Sequence, residues 1–126
     1  MSFRSLQEII DKSKETGKAF WETVMADDMN ERAVSSQESF EKMKQLYLSM
    51  KEANAAYEEE LLSASKLVGG DGAKVRHALE EGKLIGGSFV GETISKALKM
   101  GENNACMKRI VAAPTAGSCG VLTAVL

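Results

Sequence analysis

Apolar residues recur every three or four positions over most of this chain, the spacing that gathers side chains on one face of an α-helix. Leu6, Ile9 and Ile10 open the first such run behind Ser5-Leu6-Gln7-Glu8, a serine with a glutamate three residues on, which is a capping-box start. Gly17 predicts its end. A second helix is predicted over 18–32, where Phe20, Trp21, Val24 and Met25 cluster. Ser35-Ser36-Gln37-Glu38 repeats the start signal, and the most regular run of the chain follows it. Phe40, Met43, Tyr47, Met50, Asn54, Tyr57 and Leu61 alternate in steps of three and four. That stripe suits a long amphipathic helix packed in its own domain, and it also suits a coiled-coil seam with Asn54 as the register-setting polar position.

Glycine then changes the texture. SKLVGGDGA, residues 65–73, has three glycines within four positions and predicts a loop. Backbone N–H groups in such a loop can cradle an anion, although the spacing is neither that of a P-loop nor that of a dinucleotide-binding turn. A short helix over 74–81 carries His77, the only histidine, which reads as a surface or capping residue or as a catalytic group. Ser88 starts a further helix to about Met107, with Phe89, Ile94, Ala97, Leu98 and Gly101 on its apolar face. No strand pairing is visible before residue 109. The pattern predicts an all-α, multi-helix domain.

The last seventeen residues, IVAAPTAGSCGVLTAVL, hold no charged side chain. Pro114 disfavours helix at Ala113. Thr115, Ala116, Gly117 and Ser118 then predict a turn, so a Pro/Gly loop leads into an apolar helix expected to be buried. Cys119 falls in the first turn of that helix. Unpaired N–H groups and the positive dipole end there favour thiolate over thiol, which suits a nucleophile or a metal ligand. Free cysteine is also among the most buried residue types, and a purely structural Cys119 is the other reading. Cys106 reads as a buried or partly exposed helix residue.

Composition narrows the class. At 126 residues the chain is one domain or part of one, able to bury about two-thirds of its unfolded surface. Charged residues make up 27% and the net charge is −2, a balance that argues against nucleic-acid binding. MSFRSLQEII has no apolar core of a secretion signal, and the tail is too short and too rich in Pro, Gly, Ser and Thr for a membrane span. Two cysteines without such a signal suggest reduced thiols in a cytoplasmic protein. Seven methionines against 6% aromatics predict a Met-filled aliphatic core.

NNACMKRIVAAPTAGSCGVLTAVL resembles the signature region of the iron–sulfur-dependent L-serine dehydratases, in their α chain or α domain. The core of the likeness is IVAAPTAGSCGVL, Ile110 to Leu122; LVGGDGAKV, Leu67 to Val75, and Glu102-Asn103-Asn104-Ala105 share it. The resemblance implies conversion of L-serine to pyruvate and ammonia without pyridoxal phosphate, on a [4Fe–4S] cluster held by three cysteines. The open iron would bind the serine hydroxyl as a Lewis acid while a base removes the α-proton. Cys119 matches the first cluster ligand, and the other two lie downstream in the family. Residues 1–126 are therefore expected to be the N-terminal part of the catalytic domain, inactive alone. A β subunit or β domain and an oligomer are the implied partners, with no nucleic acid and no membrane.

The resemblance offers Thr115, Gly117 and Ser118 for the substrate carboxylate, Asn104 for its carboxylate or amino group, and Gly69-Gly70-Asp71 as another wall. Turn and cap chemistry explains the same residues equally well. The general base is not assigned: His77 is the candidate within the chain, and downstream residues or the β domain are the others. Lys108 stands where the family pattern has glycine, and Thr123 where proline is common. Two alternatives remain, a related lyase acting on L-cysteine and a non-catalytic helical module built on the stripe over 40–61.

Overall fold

The two start signals in the sequence are both made by the side chains that the pattern requires. The computed structural model describes residues 2–126. Ser5 Oγ accepts the Glu8 amide at 3.2 Å, and Ser35 Oγ accepts the Glu38 amide at 3.3 Å while Glu38 accepts the Ser35 amide at 2.8 Å. Among the described residues the elements are α1 (Leu6–Thr16), α2 (Phe20–Arg32), α3 (Ser36–Ala55), α4 (Asp71–Glu80), α5 (Gly87–Ala105), a 3₁₀ turn (Ala116–Ser118) and α6 (Cys119–Val125), with no strand. The fold is all-α, and among the described residues no helix is long and apolar enough to cross a membrane. The chain divides into two compact units, with the division inside α3 between Gln45 and Leu46.

In the first unit α1 closes on Gly17 at φ +68°, as predicted, and packs against α2 around buried Ile9 and Thr23. The apolar cluster of α2 is not core: Phe20 and Trp21 are exposed. Its apolar residues bunch at the start of the helix instead of recurring along it, so they form no stripe to bury. Asp28 joins α2 to the first turn of α3, accepting from Arg32 Nε at 2.7 Å and from Ser39 Oγ at 2.6 Å. These bonds, that of Arg32 first, pull its carboxyl down to about 2.

In the second unit α5 is central, packed by α4 on one side and by α6 on another. The regular stripe ends sooner than its periodicity predicts. α3 stops at Ala55, so Tyr57 and Leu61 lie beyond it. Glu58, Glu59 and Glu60 follow directly, and three carboxylates at a helix C-terminus oppose the macrodipole. Met50 and Ala53 are buried, whereas Phe40 and Met43, in the first unit, are exposed.

The glycine loop returns the chain to α4 by a route that admits no side chain. Gly69 sits at φ +145°, where a Cβ would lie 2.3 Å from the Leu61 carbonyl oxygen. α4 begins at Asp71, three residues before the expected start. The cause is a cap from α5, described below. α6 buries only one face: Cys119, Thr123 and Ala124 are buried, while Val121, Val125 and Leu126 are exposed. It approaches α5 closely, because a Cβ on Gly120 would stand 2.8 Å from the Ala97 carbonyl oxygen.

Candidate active site around Cys119

Cys119 lies at the start of α6 with 2% of its surface exposed, in a core cluster with Ala53 and Met100 against which Ile110 packs. Its Sγ donates to the Met100 carbonyl at 3.6 Å. Burial raises its thiol pKa, although the amides of Cys119 and Gly120 pull the other way. The expected thiolate is thus not favoured: desolvation outweighs the helix-terminal N–H groups.

The turn before Cys119 is held by its own hydroxyls. Ser118 Oγ donates to the Ala113 carbonyl at 3.0 Å and lies 3.1 Å from Thr115 Oγ1. The Thr115 amide donates to Ser118 Oγ at 3.2 Å, which closes the turn on itself. The peptide bond between Ala113 and Pro114 is cis. Gly117 is at the exposed apex, and Asn104 reaches the same turn from α5, its Nδ2 donating to the Ala116 carbonyl at 3.3 Å. The structure therefore brings Asn104, Thr115, Gly117, Ser118 and Cys119 together.

Gly70 and Asp71 belong to a different arrangement. The Asp71 amide donates to Glu102 Oε1 at 2.7 Å, and the Gly72 amide to the same oxygen at 3.2 Å. The loop does cradle an anion, and the anion is the protein's own carboxylate. Tyr57 Oη completes the cradle, donating to Glu102 Oε2 at 2.6 Å. Burial first, then the hydrogen bond to Glu102, pushes the Tyr57 phenol up to about 12. Glu102 thereby caps the first amides of α4 and moves the start of that helix back to Asp71.

His77 is exposed on α4, with Nε2 3.6 Å from Glu59 Oε1. Lys108, the departure from the glycine of the family pattern, pairs with Glu58. Both residues help to line a cleft of about 240 Å³, together with Glu52, Ala53, Asn103 and Arg109. The sequence pattern assigned no functional role to Tyr57, Ser95, Glu102 or Asn103, whose side chains make buried or partly buried hydrogen bonds in this unit. The signal available was the run of three polar residues Glu102-Asn103-Asn104, which at 3.6 residues per turn cannot all point to solvent, and of which only Asn104 received a role.

The donor set was compared with the cluster that the resemblance implies. A thiolate is the right ligand type for iron–sulfur chemistry. The number does not suffice: among the described residues no group of three His, Cys, Asp or Glu side chains could hold a metal ion. Cys106 directs its Sγ toward the Leu61 carbonyl at 4.0 Å. These residues alone do not build a cluster site.

The sequence that carries this arrangement has known relatives. Residues 15–126 match the family described as serine dehydratase alpha chain. The "Probable L-serine dehydratase, alpha chain" of Bacillus subtilis (strain 168) is 32% identical over 124 residues, which cover 98% of this chain and 41% of that protein. The "L-serine dehydratase, alpha chain" of Peptoniphilus asaccharolyticus is 29% identical over 122 residues, covering 95% and 41%. The chain thus spans about two-fifths of the length of these curated relatives. No solved structure matches it significantly. With the match extending over the glycine loop, the Asn104 helix and the Cys119 turn, the chain belongs to the serine dehydratase alpha chain family.

Proposed function

We propose that this chain forms part of the α chain of an L-serine dehydratase, a lyase that converts L-serine to pyruvate and ammonia without pyridoxal phosphate. The observation that carries the reading is the convergence of Asn104, the Thr115–Ser118 turn and Cys119 in a segment matched by proteins named for that activity. In this reading residues 1–126 are the N-terminal part of the catalytic domain. Cys119 supplies one thiolate to a [4Fe–4S] cluster, and the remaining ligands come from outside these residues. When bound, the cluster supplies Lewis-acid chemistry for the departure of the β-hydroxyl.

The chain's own residues bind and orient. N–H groups at the start of the 3₁₀ turn, around Gly117, and the Thr115 hydroxyl are suited to the substrate carboxylate, while the Ser118 hydroxyl, donated to the Ala113 carbonyl, would have to turn from it to take part. Asn104 holds that turn through the Ala116 carbonyl, while Gly70 and Asp71, proposed as another wall, lead into the Glu102 cradle, to which Asp71 donates its amide. Cys119 must lose its proton to become a ligand, and burial opposes that loss, so ligation and proton release are coupled. His77 has no assigned step. A β subunit is the proposed partner, since both relatives are named as alpha chains.

The test is pyruvate formation from L-serine and, separately, from L-cysteine. It uses an α chain carrying these residues, combined with its β partner and reconstituted anaerobically with iron and sulfide. Turnover of L-serine supports the reading. Turnover of L-cysteine alone replaces the substrate, and turnover of neither by an iron-free protein removes the lyase.

A further inference from the structure

Burying a carboxylate is costly unless donors replace its hydration, and Glu102 is 5% exposed. Its two oxygens are met by the Tyr57 hydroxyl and by the Asp71 and Gly72 amides, the positive end of the ten-residue helix α4. The rest of the same helical turn is equally committed. The Met100 carbonyl accepts from Cys119 Sγ, Asn103 Nδ2 donates to the Ala53 carbonyl at 2.8 Å, and Asn104 Nδ2 donates to the Ala116 carbonyl. One turn of α5, residues 100–104, thereby joins the end of α3, the start of α4 and the segment that carries Cys119. One turn earlier, the Ala97 carbonyl leaves room for glycine alone at position 120.

We propose that Glu102 is a positioning residue of the site: seated on Tyr57, Asp71 and Gly72, its carboxylate locks the last turn of α5, which holds Cys119 and the Thr115–Ser118 turn in place. The inference rests on the reading of Cys119 as the functional thiol. Removing the carboxylate leaves the buried Gly72 amide and the partly buried Asp71 amide and Tyr57 hydroxyl without their acceptor, and the turn that carries the Met100 carbonyl and Asn104 loses its fixed seat. The vacated space matches the carboxylate and methylene that Glu102→Ala deletes. A small carboxylate from solution is therefore the specific replacement, whereas chloride is not.

The experiment follows Cys119 by its rate of iodoacetamide modification, read by mass, in the full chain with Cys106→Ala so that one thiol remains. Glu102→Ala is expected to raise the rate about tenfold or more, as local opening exposes the thiol, and sodium formate is expected to restore protection where sodium chloride of equal ionic strength does not. Should Glu102→Ala fail to fold, Glu102→Gln, checked for helix content by circular dichroism, carries the test. Its Oε1 can still accept from the Asp71 and Gly72 amides, but its Nε2 presents a donor to the Tyr57 hydroxyl, so Cys119 is expected to react faster than in the parent, by less than about tenfold, with no recovery in formate. Protection of Cys119 unchanged in a folded variant, or a loss in Glu102→Ala that formate does not reverse, overturns the proposal. Iron content and pyruvate formation in the reconstituted enzyme are measured separately. If both are absent from a protein whose labelling behaves as stated, the lyase reading fails and what stands is the hold of Glu102 on a buried Cys119.

Discussion

Single atoms decide two properties of this site. The first is the space between α5 and α6 at Gly120, where a methyl group would stand 2.8 Å from the Ala97 carbonyl oxygen. That oxygen belongs to helical backbone and has no rotamer by which to yield. Gly120→Ala is accordingly expected to cost about 1–3 kcal/mol of stability, measured by urea unfolding, by forcing α6 away from α5. The second is the proton on Tyr57. A free tyrosine ionises near 10.0, while burial and Glu102 hold Tyr57 neutral to about 12. The folded state keeps a proton that the unfolded state releases, so the stability gained is whole below pH 10 and lost as the pH rises toward 12. Urea midpoints across that range are expected to fall more steeply in the parent than in Tyr57→Phe.

The elements differ in how far their own sequence determines them. α1 and the start of α3 were legible because each signal is local: a serine, a glutamate three residues on, and for α1 a closing glycine. The end of α3 was not, since hydrophobic periodicity continues through Tyr57 and Leu61 while the chain has already turned away at Ala55. The early start of α4 was equally hidden, because its cap comes from Glu102, thirty-one residues from Asp71. Apolar composition also overstated the burial of α6, whose apolar residues surround the helix although only one face meets α5. Asn103 shows what such long-range bonds contribute: it supplies the end of α3 with the hydrogen bond that Ala53 lacks. Asn103→Ala leaves that carbonyl without its donor and is expected to destabilise the second unit by about 1–3 kcal/mol, with faster hydrogen exchange at the end of α3.

At the scale of the whole molecule, the motifs quoted for the resemblance and the residues of the candidate site fall in the second unit, from Leu46 onward, while the family match itself begins at residue 15. The family was legible from IVAAPTAGSCGVL, because the motif is long and local in sequence. The electrostatics of its cysteine were not, because a helix start favours thiolate and only the packing of Ala53, Met100 and Ile110 around the sulfur reverses the sign. The central proposal is that this buried thiol is a cofactor ligand of an L-serine dehydratase. Its most direct measurement is iron per α chain, with pyruvate formed from L-serine, in the anaerobically reconstituted enzyme compared with Cys119→Ala and Cys106→Ala. The account predicts that iron and turnover are both lost with Cys119→Ala and both kept with Cys106→Ala. Iron and turnover that survive Cys119→Ala would contradict it and leave Cys119 a core residue.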